Sequence, residues 1–161
     1  LSKIKNKKPT FLKLSPDLSR KNLENICRLV LKNKFLNGLI LTNTTIQRDN
    51  LYKKPVKNSW KLGEEGGLSG VPLREKTNKI IRSAYELTNG KITIIGVGGI
   101  STGKDAFEKI SMGASLLQLY TSLIYQGPNV VVRILSDLSC SLKRKGLKNV
   151  SDLIGKNIKY D

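Results

Sequence analysis

The residues of this 161-residue chain best able to do chemistry lie in two short runs. Ile94-Ile-Gly-Val-Gly-Gly-Ile100 is followed, after a stretch of helical periodicity, by Leu116-Leu-Gln-Leu-Tyr-Thr121. Each run is apolar and β-prone, and each ends in residues that expose backbone N–H groups. Gly98 and Gly99 have no Cβ to block close approach. The helix that begins just after them points unpaired N–H groups and a positive dipole end at the same place. Tyr120 and Thr121 can add two more amides and a hydroxyl. Two parallel strands joined by a helix would bring both ends to one rim, where the amides could hold a phosphate. The plain alternative is that these glycines only make a tight turn.

Familiar nucleotide motifs do not fit. Gly96-Val-Gly-Gly-Ile-Ser101 fails the dinucleotide fingerprint, because Ser101 stands where the third glycine belongs. Gly98 to Lys104 falls short of a P-loop. Asp105 replaces the hydroxyl residue that would reach magnesium, and no strand-end aspartate follows.

Other residues could complete a site. Lys13 sits inside an apolar strand; a buried lysine is costly unless paired, so it should face a ligand or a carboxylate. The alternative is a strand-edge lysine reaching solvent. Thr42-Asn43-Thr44-Thr45 closes the next strand with donors and acceptors suited to a polar, planar ligand. Its alternative is a plain turn with Asn43 left-handed. Gly66-Gly-Leu-Ser-Gly70 lies in a long loop, at about 43–71, where Gly70 could let backbone approach a cofactor. Asp49 to Glu65 within that loop is polar, lysine-rich and reads as a mobile lid, with Trp60 as a surface anchor.

Composition removes several function classes. There is no histidine, which excludes histidine bases, Ser-His triads and most zinc sites. Cys27 and Cys140 lie far apart in helical patterns without metal-ligand spacing, so reduced, packed thiols and no metal are expected. The net charge is +17. A lysine-rich solvated exterior explains it better than a nucleic-acid surface, because aromatic residues do not interleave with the basic ones. A phosphate-bearing ligand or an acidic lipid surface fits the charge equally well. No apolar run reaches the roughly 18 residues of a membrane span. The start, Leu1-Ser-Lys-Ile-Lys-Asn-Lys-Lys8, reads as the edge of a longer protein rather than as a targeting signal.

The elements that must position these residues alternate. Strands are predicted at Thr10–Leu14, Leu39–Asn43, Ile92–Val97 and Leu116–Tyr120. Ser19 caps a first helix with Leu23, Cys27 and Val30 inward. A second helix runs from near Pro72, with Ile80, Ala84 and Leu87 on one face, to a stop at Asn89-Gly90. Thr102 and Asp105 form a capping box for a third, with Phe107, Ile110 and Ala114 inward. One last long helix carries Val131, Leu135, Leu138 and Leu142, and Val150–Ile154 makes a short helical turn. Four β/α units with continuous apolar strands imply a parallel sheet covered by helices. That leaves a small doubly wound sheet or part of a (β/α)8 barrel, a whole barrel taking roughly 250 residues. Half a barrel alone has two bare strand edges and an open core.

Taken together, Phe11-Leu-Lys-Leu-Ser-Pro-Asp-Leu18, Leu41-Thr-Asn-Thr-Thr45, Gly66-Gly-Leu-Ser-Gly-Val-Pro-Leu-Arg74, Ile94 to Gly103 and Gln118-Leu-Tyr-Thr121 resemble the class 2 dihydroorotate dehydrogenases. The closing Gly146-Leu and Asp152-Leu-Ile-Gly155 fit as well, so the resemblance covers nearly the whole chain in the family's order. Asn-Thr-Thr after the second strand separates this class from the soluble class 1 enzymes.

The resemblance implies an α/β fold in which residues 1–161 are the C-terminal half, strands five to eight, of a (β/α)8 TIM barrel. It implies oxidation of (S)-dihydroorotate to orotate in pyrimidine synthesis, with FMN as redox cofactor and a ubiquinone-type quinone as acceptor. By motif position Lys13 would lie against the flavin ring and stabilise negative charge on its reduced form. Thr42, Ser69 and Gly70 would contact FMN, and Gly98, Gly99, Tyr120 and Thr121 would hold its phosphate. Val97 and Leu119 complete the cofactor set, and Asn43 and Thr44 would bind the substrate. The family's catalytic base is a serine in the first half of the barrel; no serine here matches it, so no catalytic residue is assigned. That N-terminal half is the expected partner and carries the membrane association, at the mitochondrial inner membrane in a eukaryote or the cytoplasmic membrane in a bacterium. No nucleic acid is expected. The competing readings are a free-standing anion- or nucleic-acid-binding module and a fragment of another phosphate-binding barrel.

Overall fold

A computed structural model describes residues 8–48 and 65–156. In chain order these form β1 (Phe11–Leu14), α1 (Arg20–Lys32), β2 (Gly38–Leu41), α2 (Arg74–Thr88), β3 (Thr93–Val97), α3 (Gly103–Ser111), β4 (Leu116–Gln118), α4 (Thr121–Gln126) and α5 (Asn129–Arg144). A 3-10 turn, Val71–Leu73, leads into α2, and another, Val150–Leu153, follows α5. The expected lid, Asp49 to Glu65 with Trp60, lies outside the described residues except for Glu65.

Local chemistry sets the element ends. The Ser19 side chain accepts the Asn22 N–H at the start of α1. Asn89, left-handed at φ 49°, and Gly90 at φ 66° stop α2. Thr102 and Asp105 form the reciprocal capping box at the start of α3.

The strands lie in the order β1-β2-β3-β4 and pair in parallel throughout. A doubly wound sheet reverses its order at a switch point; this one does not. Residues paired across parallel strands share a face. The row Leu12, Leu39 and Ile94, and the row Leu14, Leu41, Gly96 and Leu117, therefore point one way. Leu39, Leu41 and Ile94 are fully buried there against Leu23, Cys27 and Val30 of α1 and Ile81 and Ala84 of α2. Each such side chain contributes roughly 1.5–3 kcal/mol by leaving water. Leu117 joins α3 and α5 through Ile100, Ala106, Val130 and Ile134.

The opposite face carries the row Lys13, Ile40, Ile95 and Leu116. It takes no part in the apolar clusters of the described residues, and Leu116 is 57% exposed. One face covered by helices and the other without a helix among the described residues is the layout of part of a TIM barrel.

Two helical expectations need correction. The expected last helix is α5, and a short α4 that was not expected precedes it, ended at Gly127 (φ 72°) and Pro128. The inward stripe of α5 is Val130, Ile134, Leu138 and Ser141, one residue away from the predicted Val131 and Leu135, which are exposed. In α2 the buried stripe is Thr77, Ile81, Ala84 and Thr88, with Ile80 and Leu87 only half-buried beside it. The predicted strands also end early: Asn43 and Tyr120 lie beyond β2 and β4.

Leu29 and Leu31 on α1, Leu116 on β4 and Val132 and Leu135 on α5 are all exposed, and β1 and β4 each leave one edge unpaired within the sheet. Expressed alone, the chain should therefore self-associate. Size-exclusion chromatography should show species above the monomer mass, and Val132→Lys with Leu135→Lys should shift them toward monomer. A monodisperse, cooperatively melting monomer would contradict this.

Candidate functional site

The carboxy ends of all four strands open onto one cavity of about 410 Å³, within the range of small-ligand clefts. All twelve residues singled out from the sequence line it. Lys13 comes from β1, Thr42, Asn43 and Thr44 follow β2, and Ser69 and Gly70 precede α2. Val97, Gly98 and Gly99 end β3, and Leu119, Tyr120 and Thr121 follow β4.

Lys13 shares the inner face with Ile40 and is exposed at the open mouth. It makes no ion pair with a described residue. The expected buried position is thus corrected: Lys13 is exposed on the edge strand β1, as in the solvent-reaching alternative, and it also lines the cavity. Thr42 is 2% exposed, and its hydroxyl donates to the Asn43 carbonyl. Asn43 is not left-handed, since Asn89 is the one described non-glycine residue with positive φ. The left-handed turn of the alternative therefore does not occur at Asn43. Asn43 and Thr44 are exposed toward the mouth.

Asp17 fixes the loop that carries them. Its carboxylate accepts from the Thr45 hydroxyl, the Ile46 N–H and the Lys76 ammonium of α2. Burial pushes the Asp17 carboxyl up, but these donors outweigh it and hold it below the usual carboxylate range. Thr45 and Leu68 exchange backbone hydrogen bonds, and Arg48 donates to the carbonyls of Thr45 and Gly66. The two flanks of the long loop are thereby tied together. Ser69 accepts a hydrogen bond from the Thr121 hydroxyl at 2.9 Å, which links this loop to the fourth strand end.

The glycine turn is left-handed, which both the anion-holding reading and the plain tight turn allow. Gly98 and Gly99 have φ of 110° and 70°, which L side chains rarely adopt. Their N–H groups take part in none of the loop and turn hydrogen bonds of the described residues. Beyond Ile100, Ser101 and Thr102 both donate to Asp105, so the two amides just before α3 are already used. Asp105 also accepts from Arg74 and is 1% exposed. Burial raises its carboxyl, but Arg74, Thr102 and Ser101 together hold it below the usual range.

Sequence reasoning missed Tyr125, Gln126 and Ser122 of α4, which also line the cavity. No motif marks them; only recognition of the Gly127-Pro128 break could have placed them there. Ser122 matters most. Its buried hydroxyl oxygen has no hydrogen-bond partner, which a native structure rarely tolerates without a ligand or water. The arrangement can therefore hold an oxyanion with backbone N–H groups and hydroxyls, beside a cation at Lys13. Among the described residues no group of three or more metal-ligating side chains occurs, and no helix is long and apolar enough to cross a membrane.

Comparison with known proteins decides the family. A family model described as "Dihydroorotate dehydrogenase" matches residues 1–142. The chain belongs to the dihydroorotate dehydrogenase family. Dihydroorotate dehydrogenase (quinone) of Trichormus variabilis is 45% identical over 154 residues, 94% of this chain and 41% of that protein. The mitochondrial dihydroorotate dehydrogenase (quinone) of Mus musculus is 48% identical over 149 residues, 92% of this chain and 36% of that protein. A crystal structure of the Eimeria tenella enzyme in complex with ferulenol superposes with a TM-score of 0.84 at 42% identity. It covers 92% of this chain and 38% of that one. The likeness is to the quinone class of the family and to part of its barrel.

The Asp105 hub sets a pH dependence. A carboxylate with a depressed folded pKa stabilises the fold above its unfolded value near 3.8, and that contribution is lost as pH falls through the folded value. Asp105→Asn should cost about 1–3 kcal/mol near neutrality. Urea denaturation should show the gap between wild type and variant constant above about pH 5 and narrowing below pH 4. A gap independent of pH would argue against the hub.

Proposed function

We propose that residues 1–161 supply strands five to eight of a (β/α)8 barrel that oxidises (S)-dihydroorotate to orotate in pyrimidine synthesis. The cofactor is FMN and the electron acceptor a ubiquinone-type quinone. The observation that carries this reading is the convergence of Lys13, the Asn43-Thr44 loop, the Gly98-Gly99 turn and Tyr120-Thr121 on one cavity. A phosphate-bearing group fits it: the turn offers left-handed glycine amides, and Ser122 offers a buried hydroxyl with no protein partner.

When bound, the flavin supplies hydride acceptance and passes electrons to the quinone. The chain's own residues do the rest of the work assigned here. Gly98, Gly99, Tyr120 and Thr121 hold the phosphate, with Val97 and Leu119 as flanking wall. Thr42, Ser69 and Gly70 contact the cofactor, Gly70 through backbone. Lys13 places a positive charge where the reduced ring accumulates negative charge. Asn43 and Thr44 orient the carboxylate-bearing pyrimidine. The base that takes the substrate proton belongs to the first half of the barrel, so residues 1–161 alone are inactive. That half also carries the membrane association, at the mitochondrial inner membrane or its bacterial equivalent. A free-standing anion-binding module fits less well, because it leaves the apolar inner row of Ile40, Ile95 and Leu116 without a purpose.

The test is a chimera in which this chain replaces the matching region of the Trichormus variabilis relative. It should purify yellow with FMN and reduce a quinone analogue when given dihydroorotate. Lys13→Ala should lower kcat on the order of 10²-fold with little change in KM. A folded chimera that takes up no flavin would refute the reading.

A further inference from the structure

Lys109 of α3 is fully buried, a position lysine almost never takes unless paired. Its ammonium donates to the Thr77 hydroxyl at 2.8 Å and to the Asn78 side-chain oxygen at 2.7 Å, both on α2. The Thr77 hydroxyl lies 3.1 Å from the Arg74 carbonyl and 3.4 Å from the Gly98 carbonyl, so its own proton is shared between them. A chain of polar contacts thus runs from Lys109 to the turn that lines the cavity. One helical turn earlier, Asp105 grips the other end of that turn at Ser101 and is itself paired with Arg74.

Sterics point the same way. A Cβ at Gly96 would lie 2.8 Å from the Lys109 stem, one at Gly98 2.9 Å from the Thr77 methyl, and one at Gly99 2.6 Å from Arg74 Cβ. Each glycine of this run leaves room for one member of the polar cluster.

We propose that Lys109 is a positioning residue for the phosphate-binding turn, acting through the Thr77 hydroxyl on the Gly98 carbonyl. The proposal rests on the phosphate reading of the cavity given above. Lys109 does not touch the ligand; it fixes the peptide whose neighbouring amides do. Burial lowers its pKa to about 7, with Asp105 and Glu108 favouring its charged form and Arg74 opposing it. The linkage does not depend on that charge, because a neutral amine keeps two N–H groups for its two acceptors.

A staple that merely joined α2 to α3 would lower stability and weaken all flavins alike. The measurement is therefore the affinity of the apo-chimera for FMN and for riboflavin, which lacks the phosphate. Lys109→Met and Thr77→Val should each weaken FMN about tenfold, the scale of one ordered hydrogen bond, and leave riboflavin within about twofold. Thr77→Ser, which keeps the hydroxyl, should retain FMN affinity. The double variant Lys109→Met/Thr77→Val should be no worse than either single one, since the two act in series. If Lys109→Met does not fold, the Thr77→Val and Thr77→Ser pair decides by the same criterion. Equal loss of both flavins, or an FMN preference that survives both substitutions, overturns the proposal alone. A wild-type chimera that binds riboflavin as tightly as FMN overturns the phosphate reading and the proposal with it.

Discussion

An all-parallel sheet in sequential order imposes the constraint on which everything else depends. Each strand must return by a crossover on the same side, so one face is covered by helices and all four carboxy ends share a rim. The apolar residues sort accordingly. Leu39, Leu41 and Ile94 vanish beneath α1 and α2, while Lys13, Ile40, Ile95 and Leu116 line the other face. Lys13 reaches the cavity because it lies on that bare face near the rim, not because of any local motif. Residues far apart in sequence, such as Lys13 and Thr121, meet for the same reason.

Two carboxylates make the rim rigid. Asp17 gathers the β1–α1 turn, the loop after β2 and the start of α2. Asp105 gathers the loop after β3, the start of α3 and Arg74 at the start of α2. Both accept from backbone N–H groups that would otherwise lack partners. Both also pair with cations on α2, so that helix ties the two loops to one body. In a chain of net charge +17 a carboxylate rarely lacks a cation. The fold spends these two on loop geometry rather than on surface neutralisation.

Strands, capping residues and the inward faces of α1 and α3 were legible in the sequence, because each rests on one unambiguous period or cap. So were twelve of the cavity residues, though not Ser122, Tyr125 and Gln126. The last helix was not. Val130, Val131, Val132, Ile134, Leu135 and Leu138 form two overlapping apolar stripes, and periodicity cannot say which meets the core. Of the stripe it favoured, Leu138 and Leu142 do meet the core, while Val131 and Leu135 face outward, where an apolar surface suits a further packing layer. Lys109 was illegible for the opposite reason. A helical lysine reads as solvated, although its spacing from Asp105 and Ala106 put it on the inward face. A helix placed before the Gly127-Pro128 stop would have revealed α4 and with it Ser122.

The Gly96-Val-Gly-Gly run resolves its own failure as a nucleotide motif. A dinucleotide fingerprint reserves its glycines for a tight turn, a close pyrophosphate and helix–strand packing. Here all three glycines have packing to satisfy on the helix side: Lys109, Thr77 and Arg74 occupy the volumes that Cβ atoms would take. At Gly98 and Gly99 the same absence of a side chain also permits the left-handed turn that faces the cavity. A substitution at either position would therefore act on both sides at once, straining the turn and displacing the cluster behind it. Cavity wall and helix packing are one structural unit, which is why polar residues as costly to bury as Lys109 and Asp105 can persist there.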